Sequence, residues 1–309
     1  MSNDTTQQPV ERLSPSSLAA YAYCPRKYDF AKAQRIDTID DSKRYLQQGL
    51  AMHGTIERTC CDSTRDDDGN TIRERMRAHF PEVWEEEVEL SEFASDAQHV
   101  YYRKLAQAGL EHFFAPNGGP GIEHARQSVA VEKRLTCDCN DVQLKGYADN
   151  ILRTEDGLHV IDYKRNISSG MLTSGTAERL DKHLNGEEHE PKRVKNAMQV
   201  ATYLEGVTET DFFEQEMDVR FSFYGLLNHT DFETSPDGYS VSARGYGREM
   251  TEIYADHFDT IWSLIRSAFT GIREGQFEPE PQELIFEEGC PDCRYQGMCP
   301  DYLAQEVKL

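Results

Sequence analysis

The sequence predicts an α/β protein, because it contains both strand patterns and amphipathic-helix patterns. The clearest strand signal lies at 146–164, GYADNILRTEDGLHVIDYK, where apolar-rich runs at 147–152 and 158–164 flank the turn signal Glu155-Asp156-Gly157. This is the pattern of a β-hairpin. Further strand patterns are found at 128–136, 142–152, 219–227 and 239–246. Helical patterns are found at 14–24, 44–60, 194–207 and 252–274. We therefore expect an α/β fold in which the hairpin belongs to a meander of at least three strands.

The chain of 309 residues is long enough for one large domain or for a core domain with an insert. It carries 33 basic and 55 acidic residues, and the resulting charge of −22 is dispersed along its length. Such a charge suits a protein of a salt-rich cytoplasm; the competing interpretation is a protein that avoids nucleic acid. Because the Debye length at molar salt is only about 3 Å, we expect a halophilic source and do not count the charge against a DNA partner.

The sequence contains no signal for membrane insertion or export. No apolar run is long enough to span a bilayer, and the polar start at 1–12 lacks the basic and apolar stretches of a signal peptide. We therefore expect a cytoplasmic protein without a membrane partner, in which residues 1–12 are disordered.

The hairpin carries a group of charges that points to a metal ion. Asp162 and Lys164 are two positions apart on one strand and therefore project from the same face. Asp149 lies on the partner strand, within reach of Asp162. Two carboxylates at the end of a buried strand are costly unless a cation neutralises them, and Mg²⁺ or Mn²⁺ suits oxygen ligands. The alternative is an ordinary strand end that reaches solvent.

Two helices precede the sheet in the sequence. The first is predicted to begin at the Ser14-Pro15 cap and to end at Cys24-Pro25. The second covers 44–60 and places Gly49, His53 and Glu57 on one face. His53 is either a structural or solvated histidine or a metal ligand, since neutral imidazole is a common ligand.

The remaining segments supply further elements. Residues 62–125 are predicted to be an insert, with helical patterns at 72–80, 83–93 and 100–114, and 137–141 (CDCND) a tight turn. The polar stretch 165–192 is expected to be a mobile loop over the site. The helix after it places Gln199 and Tyr203 on one face, and 252–274 is predicted to be one long helix.

Three cysteines near the end of the chain form a second candidate site. Cys290, Cys293 and Cys299 have the C-x2-C-x5-C spacing of a metal or cluster site that lacks one ligand. Cys24 is the best candidate for the fourth ligand, and the site would then join the two ends of the chain. The spacing fits structural zinc or a 4Fe-4S cluster. Free thiols, or an electron-transfer or redox-sensing role, are the alternatives.

In this order the motifs resemble the RecB-like branch of the PD-(D/E)xK nucleases, and within it the iron–sulfur members, which include the CRISPR adaptation exonucleases and the AddB nuclease domain. The residues that carry the resemblance are Cys24, His53, Asp149 in GYAD, Asp162 and Lys164 in VIDYK, Gln199 and Tyr203 in QVATY, and Cys290, Cys293 and Cys299. Two features depart from a minimal CRISPR exonuclease, namely the large insert and the long polar loop.

The resemblance implies a restriction-endonuclease-like core, with a mixed central sheet flanked by helices, a helical insert and an iron–sulfur staple that joins the termini. The corresponding segments are a disordered start (1–12), the N-terminal helices with the cluster cysteine and the histidine (13–61), the insert (62–125), the nuclease core (126–275) and the cluster-binding segment (276–309).

The resemblance also implies a metal-dependent deoxyribonuclease, a single-strand exonuclease that acts in DNA processing, CRISPR adaptation or recombinational repair, with a CRISPR integrase or a helicase as possible partner. The metal ligands would be His53, Asp149, Asp162 and the carbonyl of Tyr163. Lys164 would position water or phosphate, and Gln199 and Tyr203 would orient Lys164 and the DNA. The cluster ligands would be Cys24, Cys290, Cys293 and Cys299; Arg26, Lys27 and Tyr28 would contact phosphate and a base beside them. The alternative is a catalytically idle iron–sulfur DNA-binding or scaffold subunit.

Overall fold

The computed structural model describes residues 12–37, 43–139, 141–167, 173, 175, 177–235 and 238–306. The disorder predicted for the start of the chain falls on residues 1–11, outside this part. Much of the loop predicted after Lys164 and the centre of the predicted turn at 235–238 also lie outside the described residues.

The secondary structure alternates helical and strand segments. The α-helices are α1 (Pro15–Tyr23), α2 (Pro25–Tyr28), α3 (Arg44–Cys61), α4 (Gly69–Glu87), α5 (Asp96–Phe113), α6 (Gly121–Gln127), α7 (Glu178–Leu184), α8 (Pro191–Val207), α9 (Thr251–Asp256), α10 (Phe258–Glu274), α11 (Gln282–Leu284) and α12 (Pro300–Glu306). The strands are β1 (Ser128–Cys139), β2 (Val142–Arg153), β3 (Gly157–Lys164), β4 (Asp218–Ser235) and β5 (Gly238–Glu249). Short π-helical turns lie at Asp29–Ala33 and Ile285–Gly289, and 3₁₀ turns at Leu90–Glu92, Cys290–Asp292 and Gln296–Met298.

The strands form one mixed sheet in the order β1-β2-β3-β4-β5. Strands β1, β2 and β3 are successive antiparallel neighbours, which confirms the predicted hairpin and meander. Strand β4 pairs with β3 in parallel, after a crossover that contains α7 and α8, and β5 pairs with β4 in antiparallel. The strand that carries Asp162 and Lys164 is therefore central in the sheet and paired on both sides.

Helices cover both faces of this sheet. On one face, α1, α8 and α10 pack against the sheet in a core that includes Leu18, Met198 and Trp262. On the other face, helices α3, α4 and α5 pack against side chains such as Ile161 and Tyr163 of β3. The predicted sheet flanked by helices is confirmed. The segment 62–125 supplies much of the second helical layer.

Helix α4 differs from the prediction, which placed a break between patterns at 72–80 and 83–93. The helix instead continues through Pro81 and ends at Glu87. Proline costs a helix interior about 3 kcal/mol, because it removes one hydrogen bond and clashes with the preceding turn. Phe80 and Trp84, on either side of Pro81, are both buried in the core, and this packing offsets the cost.

Other boundaries also differ. The predicted helix 252–274 is broken at His257, whose backbone leaves the helical region between α9 and α10. The tight turn predicted at 137–141 begins too early, because β1 continues through Cys139, which pairs with Val142 of β2. Strand β4 extends past the predicted end at 227, because its polar outer half is held by pairing with β5.

The stretch 165–192 is not one long loop, since it contains α7 and the first residues of α8. In the part of the chain that the structure describes, no helix is long and apolar enough to cross a membrane.

Candidate functional site

The end of β3 brings together the carboxylate, lysine and glutamine that the sequence singles out. The Lys164 ammonium lies 2.5 Å from Asp162 Oδ1, as expected for residues two apart on a strand. Lys164 Nζ also donates to Gln199 Oε1 at 3.0 Å. Gln199 Nε2 in turn donates to Asp162 Oδ2 and to the hydroxyl of Tyr203 at 3.2 Å. Helix α8 therefore fixes both charged groups of β3 through one amide.

Asp162 is 2% exposed, so its carboxylate is buried. Its Oδ1 forms an ion pair with the Lys164 ammonium, and its Oδ2 accepts a hydrogen bond from Gln199. A buried carboxylate is costly without such partners. A bound cation would add to the positive charge that stabilises it.

Asp149 and His53 meet beside the β3 backbone at Tyr163. Asp149 Oδ2 accepts a hydrogen bond of 2.6 Å from the Tyr163 amide and lies 3.4 Å from His53 Nδ1. Tyr163 also forms a backbone hydrogen bond with His53. The predicted ligands His53 and Asp149 and the Tyr163 backbone are therefore adjacent.

The pKa shifts of this group follow from burial. Burial lowers the pKa of His53, although Asp162 opposes the decrease. Burial also raises the pKa of Asp149 well above its usual value, and the nearby Asp162 raises it further. The neutral imidazole is ready to bind a metal, and a cation would favour the ionised form of Asp149.

Glu132 is a candidate ligand that the sequence interpretation missed. Among the described residues, a compact group of potential metal ligands consists of His53, Glu132 and Asp149, whose ligand atoms all lie within 4.8 Å of one another. Burial raises the pKa of Glu132, and the neighbouring Glu57 and Asp162 add to the shift. The group therefore concentrates acidic oxygen atoms close enough to the buried Asp162 to feel its charge.

The backbone of β1 explains why Glu132 reaches the site. Side chains of a regular strand point alternately to its two faces, so residues an odd number of positions apart lie on opposite faces. Ala130 and Leu135 are five positions apart, yet both pack in the core beside α8. The alternation of β1 is therefore interrupted between them. Glu132 lies within this interval and has a φ of 45°, a left-handed conformation that is uncommon outside glycine. An interpretation based on regular alternation does not anticipate this.

Strand β2 has a matching irregularity beside Asp149. Ala148 and Ile151 are three positions apart, yet both side chains pack in the core beside α8. The alternation of side chains between the two faces of β2 is therefore interrupted at Asp149 or Asn150. By the register of Lys133 with Ala148, Glu132 lies opposite Asp149. Glu132 and Asp149 are therefore opposite each other where the side-chain alternation of both β1 and β2 is interrupted.

Close packing around the site requires particular residues at Gly146 and His124. A Cβ atom on Gly146 would lie 2.4 Å from the Tyr203 ring, so glycine in the GYAD motif allows α8 to approach β2. On the opposite face of the sheet, the buried Tyr163 hydroxyl is 2.9 Å from His124 Nδ1. Burial lowers the pKa of His124 to about 3, so this histidine is neutral and anchors Tyr163.

The second site is a cavity lined by Cys24, Cys290, Cys293 and Cys299. The structure thus brings the N-terminal cysteine to the three at the end of the chain, and none of them forms a disulfide. The Tyr23 hydroxyl donates a hydrogen bond of 2.6 Å to the Gly289 carbonyl, 266 positions away. Contacts of the protein itself therefore hold the two segments together beside the thiols.

The electrostatics of these thiols depend on burial. Burial raises the pKa of Cys24 to about 11 and that of Cys290 to about 12. Backbone hydrogen bonds from Arg26 and Lys27 oppose the shift at Cys24. Without a metal Cys24 and Cys290 are neutral thiols at pH 7, whereas metal binding would deprotonate them.

The residues after Cys24 make contacts within the protein, and the DNA contact that the resemblance implies for Arg26 and Lys27 stays a prediction. Tyr28 is buried and its ring stacks on Phe277, so it is unavailable to a base. Arg26 forms ion pairs with Asp29 and Asp301. Lys27 lies over the Tyr23 ring at 3.6 Å. This group stabilises the segment around the cysteines.

Comparison with known families agrees with this geometry. Residues 12–300 match the model of the PD-(D/E)XK nuclease superfamily. No curated protein matches the chain. The family model covers nearly the whole described structure, including the sheet, both helical layers and the carboxylate–lysine group. The chain belongs to the PD-(D/E)XK nuclease superfamily.

Proposed function

We propose that this protein is a Mg²⁺- or Mn²⁺-dependent deoxyribonuclease, a single-strand exonuclease that uses the centre around β3. The observation that carries the proposal is the juxtaposition of the Asp162–Lys164–Gln199 cluster with the compact group of His53, Glu132 and Asp149. A nuclease superfamily implies a nucleic acid substrate. Asp149, Asp162 and Lys164 are all present, together with Gln199, and this favours an enzyme over a catalytically idle DNA-binding subunit.

The donor set suits a hard divalent cation. It contains carboxylate oxygens and one neutral imidazole, and the buried Asp162 carboxylate lies nearby. His53, Glu132, Asp149 and Asp162 would hold the ion or ions, with the Tyr163 carbonyl as the further ligand implied by the resemblance. When bound, the cation supplies Lewis acidity, which makes water a stronger nucleophile and offsets charge on the phosphate.

The protein's own side chains position the reactants. Lys164 holds a fixed positive charge beside Asp162 and would orient a phosphate oxygen or the attacking water. Gln199 restrains the Lys164 ammonium, and Tyr203 restrains Gln199. Because α8 is packed in the core, this restraint costs little reorganisation during the reaction.

We further propose that the four cysteines bind a 4Fe-4S cluster. Four thiolates around one zinc ion lie about 3.8 Å from one another, given Zn–S bonds of about 2.3 Å in a tetrahedron. The four cysteines line one cavity, and the resemblance to the iron–sulfur nucleases favours a cluster over one zinc ion. Within the fold, the cluster would fasten α1 to the tail.

The finer biological assignment rests on the resemblance to the iron–sulfur nucleases. It includes exonuclease action in CRISPR adaptation or recombinational repair, with an integrase or a helicase as partner. The dispersed charge of −22 further supports a halophilic source and assays at high salt.

The test is cleavage of a labelled single-stranded DNA by the full chain, purified without oxygen and assayed at high KCl with Mn²⁺, Mg²⁺ or a chelator. We expect progressive shortening from one end that requires the metal. A protein that binds the DNA but does not cleave it with either metal would overturn the proposal and indicate the scaffold role.

The substitution Glu132→Gln is expected to weaken Mn²⁺ binding about 10–100-fold, because it removes one charged oxygen ligand while keeping the side-chain size. Calorimetric titration with Mn²⁺ would measure the affinity directly, and cleavage should recover at higher metal concentration. Glu155→Gln, in the exposed hairpin turn, is the matched control. An unchanged Mn²⁺ affinity in Glu132→Gln would exclude Glu132 as a ligand.

A further inference from the structure

We propose that a line of aromatic side chains, which we name the aromatic track, guides a single DNA strand to the catalytic centre. The track consists of Tyr45, Tyr102, Tyr101, Phe232 and Tyr239, and it is flanked by the cations Arg165, Arg44 and Lys104. This inference rests on the proposed function and adds the path that the single strand takes to the centre.

The track begins next to the catalytic lysine. Arg165 directly follows Lys164, and its guanidinium carbon lies 4.9 Å from the centre of the Tyr45 ring. Arg165 Nε donates a hydrogen bond of 2.9 Å to Gln48 of α3, which fixes its direction. Arg44 lies 5.0 Å from the same ring. Two guanidinium groups therefore accompany an aromatic ring beside the end of β3.

From Tyr45 the track continues along α5 to the far end of the β4–β5 hairpin. The ring centres of Tyr45 and Tyr102 are 5.4 Å apart, and those of Tyr102 and Tyr101 are 5.8 Å apart. Tyr101 contacts Phe232 at 6.1 Å, and Phe232 stacks on Tyr239 at 5.3 Å. Lys104 Nζ lies 4.2 Å from the centre of the Tyr239 ring. The contacts form an unbroken path from the catalytic centre to the hairpin.

Packing between α5 and the hairpin explains only part of the track. Tyr102 is buried and serves that purpose. Tyr45 and Phe232, in contrast, leave 49% and 53% of their surface exposed, and Leu46 beside Tyr45 is 61% exposed. Half-exposed rings at Tyr45 and Phe232, connected through the more buried rings between them, indicate a surface for a ligand.

The chemistry of the track suits a single strand of nucleic acid. Unpaired bases stack on aromatic rings whatever their sequence, while lysine and arginine attract the phosphates. Three cations, Arg44, Arg165 and Lys104, lie beside rings of the track and can attract phosphates. Bases in a duplex are stacked on each other and would not use the rings.

The test measures binding of a fluorescent oligothymidylate and of a duplex of equal length, in chelator so that no cleavage occurs. The variants Tyr45→Ala and Phe232→Ala are each expected to weaken single-strand binding about 10-fold, with little change for the duplex. Tyr45→Phe and Phe232→Tyr keep a ring and should retain the affinity. Phe258→Ala, an exposed ring on α10 of the opposite helical layer, is the control.

Separate readouts distinguish this inference from the proposed function. Metal-dependent cleavage by the wild-type protein tests the function, whereas the affinities of the ring variants test the track. Unchanged single-strand affinity in both alanine variants would overturn the track and leave the surface to a protein partner. An equal loss for single strand and duplex would also overturn it, because stacking would then not be the cause.

Discussion

Replacing Asp162 by asparagine is expected to reduce metal-dependent DNA cleavage about 10³-fold or more, because the substitution removes a charged oxygen beside the metal group. The carboxylate is buried, is paired with Lys164 and accepts a hydrogen bond from Gln199. The asparagine keeps the shape of the side chain but offers one neutral oxygen. Cleavage rates on labelled DNA at saturating Mn²⁺ would measure the loss.

A matched control is Asp156→Asn, an exposed aspartate in the hairpin turn, which should leave the cleavage rate unchanged. Because Asp162→Asn leaves Lys164 without its ion pair, the melting temperature and DNA affinity of the variant should be measured as well. Cleavage by a folded Asp162→Asn variant at the wild-type rate would show that the centre around β3 is not the nuclease site.

Asp149→Asn separates metal binding from stability. Because the pKa of Asp149 is raised in the folded protein, the ionised carboxylate destabilises the metal-free fold at every pH above the ordinary value. The asparagine variant should therefore lose cleavage but melt at the same or a higher temperature in chelator at pH 7. Lower stability of this variant in chelator would contradict the pKa shift.

Cys293→Ser is expected to abolish iron binding and to lower the free energy of unfolding by roughly 5 kcal/mol. The cluster would connect segments that the Tyr23–Gly289 hydrogen bond already joins across 266 positions. Closing so long a loop restricts the unfolded chain, in the manner of a disulfide. Iron content, the visible spectrum and denaturant unfolding under anaerobic conditions would measure the effect.

Cys61→Ser is the control for loss of a thiol, because Cys61 is exposed at the end of α3, away from the cavity of cysteines. It should retain iron and the wild-type unfolding midpoint. A wild-type protein that is colourless and holds zinc would replace the cluster by a zinc site. Unchanged unfolding of Cys293→Ser would contradict the role of this site in joining the termini.

Local patterns were sufficient wherever the geometry is set by neighbours in sequence. The Glu155-Asp156-Gly157 turn forms the β2–β3 hairpin, and the spacing of Asp162 and Lys164 places both side chains on one face. The helical spacing of Gln199 and Tyr203 is likewise realised as a hydrogen bond between them. These features depend on periods of two and about four residues, which the sequence displays directly.

The sequence by itself therefore determined the α/β class, the hairpin and the residues of the carboxylate–lysine cluster. Only the tertiary structure decided that Glu132 joins His53 and Asp149, because a left-handed residue in β1 and a shift in β2 turn both acids to one place. Likewise, only the tertiary structure shows that α4 continues through Pro81, because long-range packing outweighs the local preference of proline. It also shows that Tyr45 is connected to Phe232 through the rings of Tyr102 and Tyr101, which are far from both in sequence.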